Sequence, residues 1–188
     1  MSETSQAGAR EAMLIAQIRA RDLRAFEELY RAYHPRLVRF LTNLIHRPPL
    51  VEEVFNDTMM VVWEKLDTFN GASKLSTWMF GIAYRKAMKA LRKQDEAVED
   101  KEADNRISPL APPDHGIGEH RRQSALLAAI GELSPDHRAV VDLTYYHELG
   151  YREIADIVDC PVDTVKTRMF HARRHLKRKL AGELADWL

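Results

Sequence analysis

The chain has 188 residues, 45% of them hydrophobic and 30% charged, with 28 Lys plus Arg against 28 Asp plus Glu. That length buries one ordinary core or two small ones, and the single Cys excludes an internal disulfide framework. A net charge of zero means that any affinity for nucleic acid has to come from segregated charge rather than total charge.

The opening residues, MSETSQAGAR, lack a basic leader followed by an apolar core, and no apolar run approaches the roughly 18 residues that cross a bilayer. The chain is therefore expected to stay in the cytoplasm. Residues 1–23 read as an N-terminal segment or short helix, and a first domain is expected over 24–93. In it Phe26, Leu29, Tyr30 and Tyr33 recur at helical spacing, Pro35 is expected to open a new turn, and Leu37, Val38, Leu41, Leu44 and Ile45 continue the apolar face until Pro48-Pro49 ends it. A second helix carries Val51, Val54, Phe55, Thr58, Val61, Val62 and Leu66, with Glu52, Glu53, Asp57 and Glu64 on its other side. Residues 69–74, FNGASK, are turn-rich. Ser76 or Thr77 is then placed to cap a helix bearing Trp78, Met79, Ile82 and Ala83, which runs into Arg85, Lys86, Lys89, Arg92 and Lys93.

Residues 94–122 break the pattern, with six acids between Asp95 and Asp104 followed by three prolines and two glycines. They read as a flexible acidic, proline-containing linker between two domains. No stretch alternates apolar and polar residues long enough to suggest a sheet, so the fold class expected is all-α, as two small helical domains.

The second domain, expected over 123–182 with a tail at 183–188, holds the most informative stretch. Residues 150–180 contain a short amphipathic helix, a tight break at Asp159-Cys160-Pro161, and a second helix in which Val162, Val165, Met169, Ala172 and Leu176 form one apolar stripe against Ile154, Ile157 and Val158. Asp163 and Thr164 are placed to satisfy backbone donors at the start of that helix. Between Pro161 and Leu180 stand seven Lys or Arg and one acid, Asp163. Turn, stripe and charge asymmetry together spell a DNA-binding helix-turn-helix, with a basic solvated helix as the plainer alternative. No glycine-rich phosphate loop, nucleophile elbow or paired-Cys metal spacing occurs, so neither catalysis nor a cofactor is expected. His171 and His175 stand four apart without a third ligand cluster. Cys160 reads as a small packed residue.

These segments resemble the sigma factors of bacterial RNA polymerase, in particular the extracytoplasmic-function (ECF) group that keeps only the second and fourth conserved regions. FEELYRAYHPRLVRFL looks like the opening of region two, VEEVFNDTMMVVWEKLDTF like its core-polymerase-binding helix, and FNGASKLSTWMFGIAYRKAMKALRK like the promoter-melting segment. LLAAIGELSPDHRAVVDLTYYHELGYREIADIVDCPVDTVKTRMFHARRHLKRKL looks like region four in full. The resemblance implies a factor that binds core RNA polymerase, through its beta and beta-prime subunits, and directs it to promoter DNA, with an anti-sigma protein as a further partner and a monomeric free state.

By the same resemblance, polymerase contacts fall to Glu52, Glu53, Val54, Asp57, Met60 and Trp63, the last also read as partly core. Minus-ten contacts fall to Phe69, Asn70, Lys74, Trp78, Arg85, Lys89 and Arg92, although Phe69 and Trp78 suit the filling of the bundle equally well. At the minus-thirty-five element, Lys166, Thr167, Phe170, His171 and Arg174 are expected to face bases or nearby phosphates, and Tyr151, Arg152, Arg168 and Arg173 the phosphate backbone. Arg85 and Lys89 replace the Asn and Asp common in relatives, and His171 an Arg, so a borrowed promoter consensus does not carry over. A stand-alone helix-turn-helix regulator, with a first domain for sensing or dimerisation, is the other reading; it predicts a dimer on a palindromic site.

Overall fold

The computed structural model describes residues 3–99 and 117–181, so most of the proline-bearing linker and the tail from residue 182 lie outside the described residues. Eight α-helices follow in order among them: α1 (Glu3–Arg19), α2 (Leu23–Ile45), α3 (Pro48–Lys65), α4 (Leu75–Glu99), α5 (Ile117–Gly131), α6 (Pro135–Tyr145), α7 (Tyr151–Val158) and α8 (Val162–Leu180). A single 3-10 turn, Leu66–Thr68, follows α3, and no strand occurs among the described residues.

The local reasons for these boundaries are mostly capping and proline chemistry. Asp22 caps α2, its carboxylate accepting from the backbone N–H of Arg24 at 2.8 Å and of Ala25 at 3.4 Å. His46 closes α2 in the left-handed conformation, φ 57°, with its N–H returned to the Thr42 carbonyl. Pro48 then stands at the start of α3, where a missing N–H costs nothing. Pro35 does not open a new turn as the sequence suggested: α2 runs straight through it. An interior proline costs about 3 kcal/mol in an isolated helix, but Leu29 on one side and Leu37, Phe40, Leu41 and Leu44 on the other are all fully buried, and their packing outweighs that cost. α4 begins at Leu75, so Ser76 and Thr77 fall inside its first turn rather than at its cap, and Thr77 is buried. The helix continues to Glu99, past Lys93.

α1 to α4 form one helical unit and α5 to α8 a second. α1 is integral to the first unit. α1 buries Ile18 and packs Leu14 and Ile15 on the core, while Arg10 pairs with Glu28 at 2.6 Å and Arg19 donates to the Phe69 carbonyl at 2.6 Å.

The two units pack directly on one another, α4 against α7 and α2 against α6, so that buried residues of both belong to one continuous apolar cluster. Polar links stitch the seam. Asn43 donates to Asp142 at 2.5 Å, Arg138 reaches the Leu44 carbonyl at 3.1 Å, and Lys74 pairs with Glu153 at 2.8 Å. The Tyr84 hydroxyl donates to Asp136, whose other oxygen holds Arg168 at 3.2 Å. His147 from the second unit inserts between Phe40 and Phe80 of the first, at 6.2 and 4.8 Å between ring centres, edge-on to both.

Candidate polymerase and nucleic-acid interface

α3 sorts its residues by face. Val51, Val54, Phe55, Thr58, Met59 and Val62 turn inward, whereas Glu52, Glu53, Asp57 and Met60 are exposed, Met60 at 57%. The acidic face expected for polymerase is therefore open, with a large apolar side chain beside it. Val54 is 4% exposed and belongs to the core, so it supports that face from beneath rather than presenting itself. Trp63 is half-buried against Phe26 at 5.0 Å, under the guanidinium of Arg21 at 5.3 Å. Asp57 is tied to α4 by Lys86 at 3.0 Å.

The turn between α3 and α4 is built by Asn70, whose side-chain oxygen accepts the Ala72 N–H at 2.9 Å, and by Gly71 at φ +74°, a backbone region that glycine enters without strain. Phe69 is 6% exposed and its ring lies 5.5 Å from that of half-buried Trp78. Of the two roles open to this pair, the arrangement gives Phe69 to the bundle, because the Leu66 turn folds its ring inward; Asn70 stays exposed. Lys74 is engaged by Glu153 across the seam. Arg85, Lys89 and Arg92 are exposed on α4.

In the second unit α7 ends at Asp159 in the left-handed conformation, φ 51°, ψ 55°, and Pro161 at φ −58° starts α8, which is the tight break the sequence indicated. Neither Asp163 nor Thr164 caps α8; Asp163 turns to Lys166 at 2.9 Å instead, an exposed pair of small energetic weight. Ile154, Ile157 and Val158 of α7 and Val165, Met169 and Ala172 of α8 are buried together. This leaves Lys166, Thr167, Phe170, His171, Arg173 and Arg174 exposed along α8, with Arg152 exposed and Tyr151 half-buried at the start of α7.

Arg168 stands apart from that group: it points at the seam, 22% exposed, and its ion pair with Asp136 joins α8 to α6 and, through Tyr84, to α4. Burial and the bond to Asp136 push the Tyr84 phenol well above its ordinary pKa, so it remains a donor. Nearby, burial followed by the charge of Arg168 holds His137 below the usual imidazole value. Burial raises the Cys160 thiol, as suits a packed residue. No group of three His, Cys, Asp or Glu poised for a cation occurs among the described residues.

An apolar groove of about 960 Å³ lies between α5, α6 and α8, lined by Leu126, Ile130, Val141, Tyr145, Phe170 and Leu180 and rimmed by Arg173, Arg174 and Lys177. Sequence reasoning missed it, because α5 shows no apolar stripe strong enough to mark a surface that stays open. Phe170 and Arg173, expected at DNA alone, also form its wall, and Arg173 is braced by the Tyr145 hydroxyl at 2.9 Å.

Residues 29–97, which hold the acidic face and the cations of α4, match Sigma-70 region 2; residues 123–176, which hold the helix-turn-helix, match Sigma-70, region 4. The chain belongs to the sigma-70 family, in its extracytoplasmic-function group. This sigma factor is 25% identical over 183 residues to the RNA polymerase sigma-H factor of Pseudomonas aeruginosa, covering 92% of this chain and 95% of that protein. It is 28% identical over 176 residues to the ECF RNA polymerase sigma factor SigK of Mycobacterium sp. (strain JLS), covering 89% of each. Its fold is similar to that of the sigma factor RpoE in complex with the anti-sigma factor NepR from Bartonella quintana, with TM-score 0.71, 25% identity and coverage of 86% of this chain and 99% of that one. It is also similar in fold to CnrH in complex with the cytosolic domain of CnrY, with TM-score 0.67, 22% identity and coverage of 92% and 98%.

Proposed function

We propose that this sigma factor binds core RNA polymerase through the exposed face of α3 and brings it to promoters whose two elements are contacted separately by its two units. The observation that carries this reading is the sorting of exposed charge. Glu52, Glu53 and Asp57 stand beside exposed Met60 on α3, whereas the exposed cations Arg85, Lys89 and Arg92 are on α4 and Lys166, Arg173 and Arg174 on α8. An acidic face repels phosphate and suits a basic protein surface; the cationic helices suit a duplex. In region four Lys166, Thr167, His171 and Arg174 face bases of the minus-thirty-five element, while Arg152 and Arg173 hold phosphates. In region two Asn70, Arg85, Lys89 and Arg92 hold the minus-ten strand, with Trp78 as the ring nearest the surface for an unstacked base.

Of the cations expected at DNA, Arg168 is held in the seam by Asp136, whereas Lys74, though paired with Glu153, stays exposed and open to DNA. The similar structure of RpoE is a complex with the anti-sigma factor NepR, which supports a regulatory protein partner of that kind here. No helix among the described residues is long and apolar enough to cross a membrane. The stand-alone regulator is not favoured, because both polymerase-factor regions are present in order.

The test is a binding titration with core RNA polymerase. Replacing Glu52, Glu53 and Asp57 together by Ala is expected to weaken polymerase binding by at least about tenfold, or about 1.4 kcal/mol, with only a small change in melting temperature, since all are exposed and the one pair lost is Asp57 with Lys86. Equal affinity of the triple variant and the native chain would remove α3 as the polymerase contact.

A further inference from the structure

We propose that Tyr145 is a positioning residue for promoter DNA: its hydroxyl holds Arg173 in the orientation that meets a backbone phosphate. The proposal rests on the reading of Arg173 as a phosphate contact. Tyr145 itself lies outside the helix-turn-helix, as the last residue of α6.

The bond is selective in what it occupies. Arg173 donates through Nε to the Tyr145 oxygen at 2.9 Å, across 28 residues of sequence, and its Cζ lies 5.7 Å from the centre of the Tyr145 ring. A guanidinium presents its N–H groups in a fixed planar fork. With Nε engaged, the edge formed by the two terminal nitrogens stays free, and that edge matches two phosphate oxygens.

The chemistry of the brace matters as much as its geometry. Three other basic side chains of α8 are held by carboxylates: Lys166 by Asp163, Arg168 by Asp136 and Lys179 by Glu132. Arg173 makes no ion pair among the described residues and is tethered by a hydroxyl instead. A carboxylate would offset the charge that attracts a phosphate, whereas a hydroxyl orients the side chain and leaves its charge in force.

Position agrees with this role. Lys166, Phe170 and Arg173 recur at the four-then-three spacing that puts them on one exposed face of α8, with Arg173 about 10 Å beyond Lys166 along the axis. With Lys166 at the bases, that distance carries Arg173 toward the phosphates that border the groove. Tyr145 is 59% exposed, so it adds little to the core. Its neighbour Tyr146 is committed elsewhere, since Arg39 of α2 stacks on its ring at 3.6 Å. An arginine fixed before DNA arrives gives up less side-chain freedom on binding, so the brace raises affinity without touching a base.

The test is promoter binding by the complex with core polymerase, followed by anisotropy over a salt series, with Tyr145→Phe, Arg173→Ala and the double variant. Tyr145→Phe keeps the ring, including its part in the groove wall, and removes only the hydroxyl. It is expected to weaken binding about fivefold, the effect of one hydrogen bond, with the salt slope of the native chain because Arg173 keeps its charge. Arg173→Ala is expected to weaken binding about tenfold and to lower the slope by about one. In the Arg173→Ala background Tyr145→Phe should then change nothing, a result that a merely structural tyrosine would not give. Native affinity in Tyr145→Phe, or the same loss with Arg173 present and absent, would overturn the proposal while leaving Arg173 on its phosphate. Native affinity and slope in Arg173→Ala would remove that phosphate contact and the proposal with it.

Discussion

His46 shows how a single side chain couples the fold to solution conditions. Its left-handed backbone closes α2, its Nε2 is buried without a hydrogen-bond partner, and burial followed by the charge of Arg138 lowers its pKa. His137 is lowered for similar reasons, burial and then Arg168. In the unfolded chain both take protons near pH 6.5, so below about that pH the unfolded state holds more protons and stability falls as the pH falls toward the folded values. The urea midpoint is expected to drop between neutral and mildly acid pH, and His46→Asn, which tolerates the same backbone, should flatten that dependence; an unchanged slope would contradict the assignment. Arg174 is expected to act on binding rather than on folding. Arg174→Ala should leave the melting temperature unchanged yet weaken promoter binding by the polymerase complex by roughly 1–3 kcal/mol, measured by anisotropy over a salt series. The cations of α8 were legible as residues because seven of them stand against one acid. The turning of Arg168 toward Asp136 was not, since the direction of one side chain depends on a neighbour in α6 that no local pattern announces.

Helices were legible wherever apolar periodicity met a breaker, and the helix-turn-helix most of all, because Asp159 and Pro161 interrupt two clean stripes. Pro35 misled for the opposite reason: a local rule was overridden by burial of Leu37, Phe40 and Leu41 on the far side of it. Between elements, Gly81 matters most. A Cβ there would stand 3.6 Å from the Ile157 carbonyl of α7 and 3.3 Å from the Arg85 guanidinium, so α4 and α7 approach closely over that glycine. Ala should fit after a small shift of Arg85 and gain up to about 1 kcal/mol of helix propensity. Leu should not fit, and Gly81→Leu is expected to push α7 off α4 and lower the melting temperature. Thermal unfolding of the two variants side by side decides this; equal destabilisation by both would mean that the contact is too tight even for a methyl group, and none by either that the units do not meet there.

At the scale of the whole molecule, the seam between the units was the least legible feature, since its residues, Asn43, Tyr84, Asp136, Asp142 and His147, are scattered over three helices and the loop after α6 and each reads alone as an ordinary surface group. The exposed acidic side of α3 was legible from its spacing, and the groove of region four was not. The two units pack on one another through this seam. The decisive measurement maps transcript start sites made by core RNA polymerase on fragmented genomic DNA with this chain added, beside the Glu52, Glu53 and Asp57 triple-Ala variant. Discrete starts preceded by two shared sequence elements, and lost with the variant, are predicted. DNA binding by the chain without polymerase-dependent starts would contradict the account.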